Sequence, residues 1–139
     1  MVTLAAHRIT PELSVSDFQK SRQFYVDILG FTVQFERPEK QFALLSLQGC
    51  ELMIEAVNDV WFTGTLEHPY GRGINLQIDV DSVEPLANRL QQAGYPLFAP
   101  VQDNWYRKDD VLLGARELLV QDPDGFLLRF SEDIGTKSA

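Results

Sequence analysis

The chain has 139 residues, 45% hydrophobic and 23% charged, the proportions and length of one ordinary globular domain. Twelve basic against twenty acidic side chains leave a formal net charge of −8, a field that repels nucleic acid and anionic membranes and attracts cations. No stretch approaches the ~20 apolar residues of a membrane span, Met1 to Thr10 show no secretory pattern, and the single cysteine, Cys50, excludes an internal disulfide or a cysteine-rich zinc site, so a cytoplasmic address is expected.

In chain order, Ile9, Pro11, Leu13 and Val15 alternate with polar residues and predict a half-buried strand. Asp17 then opens a helix whose stripe is Phe18, Ser21, Tyr25 and Ile28, widened by Phe24 and Leu29 and ended by Gly30. Strands are predicted over Phe31–Glu36, Phe42–Leu47 and Glu51–Ala56. After a connection over 57–72, the same grammar returns. Ile74, Leu76, Ile78 and Val80 alternate, and Asp81 opens a second helix with Val83, Leu86, Ala87, Leu90 and Ala93 on one face, ended by Gly94. Pro85 falls in its first turn, where a missing N–H costs little. Strands follow over Tyr95–Ala99, Arg116–Val120 and Phe126–Ser131, the last two joined by the turn Asp122-Pro123-Asp124-Gly125.

Thirteen residues separate the helix-opening Asp from the terminating Gly in both halves. The chain therefore reads as one α+β domain over 1–139, with a β-α-β-β-β module at about 7–56, a linker loop at 57–72 and a second module at about 73–132. Two long connections carry the aromatic surplus. Trp61 and His68 lie in 57–72, and Trp105 and Tyr106 lie in a loop predicted over 100–115. Each Trp either packs on the core or waits for a ligand. No Ser-His-Asp order, phosphate-binding Gly loop or closely spaced carboxylate dyad is present. Cys50 reads as a packing residue.

The repeat, with the strings Val15-Ser16-Asp17, Phe24-Tyr25, Leu29-Gly30-Phe31 and Asp122-Pro123-Asp124-Gly125, resembles the vicinal-oxygen-chelate superfamily of glyoxalases, extradiol dioxygenases, fosfomycin-resistance enzymes and bleomycin-resistance proteins. Trp105 followed by Arg116-Glu117-Leu118 and Asp122-Pro123 looks most like the bleomycin-resistance proteins. The resemblance implies cupped mixed sheets around a cavity, with a metal held on the first and last strand of each module. Those places fall here on Thr10, Glu55, Asn75 and Arg129, of which only Glu55 is a good ligand. A guanidinium in the ring repels a metal, so neither metal nor other cofactor is expected, and Glu55 is expected to pair with Arg129 instead. His7 or His68 could join Glu55 in an unconventional metal site only if the strand register differs.

Without a Lewis acid, the resemblance implies binding rather than catalysis. The expected ligand is a cationic, aromatic small molecule such as an antibiotic, held in grooves of a homodimer whose first strand is exchanged at Pro11. The expected site comprises Phe35, Phe42, Glu55, Trp61, Asn75, Trp105, Tyr106, Arg116 and Arg129, with ordinary core packing the competing reading for Phe35 and Phe42. A binding protein for an unrelated ligand, and a metal-dependent lyase or dioxygenase with an unusual ligand set, are the alternatives. Neither nucleic acid nor membrane is an expected partner.

Overall fold

Residues 9–139 are described by a computed structural model of the chain; His7 and the start of the predicted first module lie outside the described residues. The strands form two four-stranded mixed sheets, one per module. In the first, β1 (Glu12–Val15) runs parallel to β4 (Cys50–Ala56), which continues antiparallel to β3 (Phe42–Leu47) and then β2 (Thr32–Arg37). In the second, β5 (Asn75–Asp79) runs parallel to β8 (Leu127–Ser138), followed antiparallel by β7 (Val111–Gln121) and β6 (Ala99–Lys108). The order in each sheet, first strand beside last, repeats the predicted module twice.

One face of each sheet is apolar, as alternation requires. Leu13, Val15, Leu45, Leu52 and Ile54 from the first sheet join Ile78, Leu118, Val120, Leu128 and Phe130 from the second in a single buried cluster with both helices. Residues of the opposite parity project from the outer faces, away from that core.

The first helix departs from the predicted regular one. A short α1 (Phe18–Arg22), capped by Asp17 accepting from the Lys20 N–H, passes into a π-helical turn over Gln23–Ile28. The wider turn lets Phe24, Tyr25 and Leu29 all face inward at no more than 1% exposure. Phe24 stacks against Tyr95 of the other module with centroids 4.6 Å apart.

The second helix, α2 (Glu84–Gln92), starts later than the predicted opening at Asp81. The Asp81 N–H goes instead to the Gln48 side chain of the first module, and Val83 occupies the N-cap. The predicted loop over 100–115 is corrected too. It is a long β6–β7 hairpin turning at Asp109 and Asp110, with cross-strand pairs from Ala99↔Leu119 to Lys108↔Val111. Charged and polar residues along β6 hid the strand because its side chains are largely exposed, leaving no apolar alternation to read.

Candidate functional site

On the outer face of the second sheet, side chains from four strands converge. Arg129 on β8 donates through Nη1 to Glu117 of β7 at 3.2 Å and through Nη2 to Gln77 of β5 at 3.1 Å. Glu117, only 3% exposed, also accepts from Asn104 at 2.7 Å and from the Tyr106 hydroxyl, both on β6. Burial pushes the Glu117 carboxyl upward, but the Tyr106 and Asn104 donors and the Arg129 charge outweigh it and hold it below the ordinary value. The bond to Glu117, followed by desolvation, raises Tyr106 in turn. Arg129 Nε is buried without a partner among the described residues. Asn75 heads the neighbouring strand with the same parity as Gln77 and is exposed.

On the first sheet, Phe42 pairs across strands with Glu55, and Phe35 lies opposite Leu44, all with the outward parity. Phe35 and Phe42 lie 6.0 Å apart, with the Arg37 guanidinium 5.3 Å and 4.6 Å from their respective ring centres. Phe42 is buried but stands outside the main core cluster, whereas Phe35 is half-exposed. Glu55 accepts from Asn58, and its charge, after desolvation, raises the Glu12 carboxyl nearby. Trp61, beyond Asn58 on the linker, is 83% exposed with φ of 67°.

The predicted residues therefore divide among three places. Phe35, Phe42 and Glu55 share the outer face of the first sheet, with Trp61 on the linker that follows. Asn75, Tyr106 and Arg129 share that of the second. Trp105 and Arg116 belong to neither. Trp105 pairs with Gly114, and Arg116 with Asp103, on the parity of core residues Leu118 and Val120. Arg116 reaches Asp103 at 2.8 Å and Glu132 at 3.7 Å, while Lys137 sits 3.9 Å above the Trp105 ring. The expected Glu55–Arg129 pair is not formed within the chain, because Glu117 is the closer carboxylate on Arg129's own sheet.

Glu117, Asn104, Gln77 and Glu12 were missed by sequence reasoning. A signal for Glu117 was present, since the apolar alternation of Leu118 and Val120 assigns Arg116 to the core side and Glu117 to the other. For a metal, the fit is poor. Thr10 and Asn75 are weak ligands and Arg129 adds a permanent cation, and the described residues hold no group of three His, Cys, Asp or Glu placed for an ion. His68 does not approach Glu55; its Nε2 lies 2.7 Å from Asp124.

No helix among the described residues is long and apolar enough to cross a membrane. Comparison with known proteins places the architecture. The family described as Glyoxalase/Bleomycin resistance protein/Dioxygenase superfamily matches residues 6–130. A bleomycin resistance protein of Geobacillus stearothermophilus is 27% identical over 135 residues, covering 89% of this chain and 95% of its own. Among solved structures, TioX from Micromonospora sp. ML1 superposes with a TM-score of 0.67 at 22% identity, over 93% of this chain and 100% of that one. The fosfomycin resistance protein FosX of Listeria monocytogenes gives 0.61 at 16% identity, over 94% of each chain. The repeated modules, their strand order and the match across most of the length establish that the chain belongs to the glyoxalase/bleomycin resistance protein/dioxygenase superfamily.

Proposed function

We propose that the protein binds a small organic molecule bearing flat rings and positive charge on the outer faces of its sheets, without a metal, and that two copies assemble to enclose it. The observation that carries the reading is Arg129. The family resemblance assigns Arg129 one of the metal positions, and its guanidinium, anchored by buried Glu117, puts a fixed cation there. Its Nε, buried and without a partner among the described residues, is the kind of donor that a water or a ligand oxygen completes.

Arg37 over Phe35 and Phe42 indicates what the first sheet offers. Its two aromatic rings already take a cation from the chain itself, and Glu12 and Glu55 supply negative charge close by. Phe35 and Tyr106, each 46% exposed, leave both faces open in one chain, which supports a groove completed by a second copy. Relatives named bleomycin resistance proteins make bleomycin the first ligand to try.

The test is titration with metal-free bleomycin, followed by tryptophan fluorescence at two salt concentrations. Saturable quenching at about one drug per subunit, with roughly micromolar or tighter affinity weakened by salt, supports the reading. No response up to roughly millimolar drug removes bleomycin-type ligands.

A further inference from the structure

A separate cleft of about 530 Å³, sharing no residue with the outer-face clusters, lies between the turn at Asp122–Gly125, His68-Pro69 near the end of the linker and the segment Tyr95–Phe98. Its walls are mixed, with Pro69, Pro96, Leu97 and Pro123 beside the polar Gln121, Asp122 and Asp124, and Phe98, also in the lining, is 56% exposed. At one side sits an imidazole of unusual preparation. Asp124, 2% exposed, faces His68 Nε2 through Oδ1 at 2.7 Å and is itself held by the Ser16 N–H and hydroxyl. The His68 ring is further fixed by stacking on Tyr70, with centroids 4.2 Å apart.

In a neutral imidazole, a buried carboxylate facing one ring nitrogen keeps the proton on that nitrogen and leaves a lone pair on the other. Nδ1 of His68 has no partner among the described residues, and the side chain is 57% exposed. Ser16 reaches the carboxylate rather than the imidazole, so the arrangement does not activate a nucleophile. What it provides is an oriented acceptor in a cleft lined partly by apolar residues, together with two buried aspartates that disfavour an anion.

We infer that this cleft is a second small-molecule site, taking a neutral aromatic ring that carries one acidic O–H or N–H, which donates to His68 Nδ1. Phenol is the smallest member of that class. The site is independent of the outer-face reading, and neither stands or falls with the other.

Phenol titrated into protein labelled with 15N should shift the His68 ring Nδ1 resonance saturably, at half-saturation on the order of 1–10 mM. Anisole, which keeps the ring but lacks the donor, should leave the resonance unmoved over the same range. His68→Gln assigns the signal against His7 and should abolish phenol's effect. Should that variant lose its fold, Phe98→Ala, altered only at an exposed lining side chain, should weaken phenol binding at least several-fold. The inference is overturned if phenol moves nothing, if anisole shifts the resonance as phenol does, or if folded Phe98→Ala binds phenol unchanged.

Discussion

Tyr25 donates its hydroxyl to Oδ2 of Asp122 over 2.7 Å, joining the helix of one module to the terminal turn of the other. Both residues are almost wholly buried, and the second oxygen of Asp122 accepts from the N–H groups of Asp124 and Phe126. Asp124, two residues on, holds Ser16 and His68, and its carbonyl accepts from the Tyr70 N–H. The Asp-Pro-Asp-Gly turn is thus where the first module, the linker and the second module are tied.

Tyr25→Phe keeps the ring in its place and removes only the donor. Asp122 is then left with an unsatisfied buried oxygen, and a loss of about 1–3 kcal/mol is expected in urea unfolding. An unchanged midpoint and slope would show that water replaces the hydroxyl at no cost.

Burial pushes the Asp122 carboxyl up to about 6, against the Tyr25 and backbone donors that lower it. A carboxyl raised in the folded state favours folding most below its unfolded value near 4, and that contribution is lost as pH rises through about 6. Acidification from pH 7 to 5 should therefore reveal a stabilising component of about 1 kcal/mol, with the full contribution of about 3 kcal/mol present only below about pH 4. It appears as the difference between the parent and Asp122→Asn urea midpoints, which should vary across this window. A constant difference across it would refute the shift.

Gly125 adopts φ of 101°, and a Cβ there would come within 2.8 Å of the Pro69 Cα. Gly125→Ala meets both backbone strain and a backbone neighbour, so a loss of more than about 1 kcal/mol is expected in thermal unfolding. A melting temperature within a degree of the parent would mean the turn and linker can separate freely.

Arg129→Leu strips the cation from Glu117 while leaving the Tyr106 and Asn104 donors. Destabilisation of about 2–4 kcal/mol is expected, below the full cost of breaking a fully buried pair because Arg129 stays 30% exposed. Glu117→Gln should be milder, since Gln still accepts and the Arg129 cation it leaves unpaired is 30% exposed to water. Equal midpoints for the two variants would contradict this ordering.

The two tryptophans differ in situation. Trp61 is exposed on the linker that follows the first sheet, whereas Trp105 lies on the core-side parity of its sheet with Lys137 over its ring. If bleomycin quenches fluorescence, Trp61→Phe should remove most of the effect and Trp105→Phe should leave it. The reverse result would move the ligand to the other side of the hairpin.

Much of the architecture is written in local patterns. Alternation along Leu13–Val15 and Leu76–Val80, the caps at Asp17, Gly30 and Gly94, and the equal spacing in both halves determine two β-α-β-β-β modules, because period and cap chemistry are properties of neighbouring residues. That Thr10, Asn75 and Arg129 are poor metal ligands is legible for the same reason, since donor chemistry belongs to the residue type. Tertiary structure decided the rest. A polar strand such as β6 forms only because β7 pairs with it, and its register then sends Tyr106 outward and Trp105 to the core side. Arg129 finds Glu117 rather than Glu55 because β8 lies beside β7, a neighbour in space that no spacing in the chain announces. The two aspartates of the turn look like ordinary turn formers in sequence. Only the docking of Tyr25, Ser16 and His68 from distant segments buries them and gives them partners.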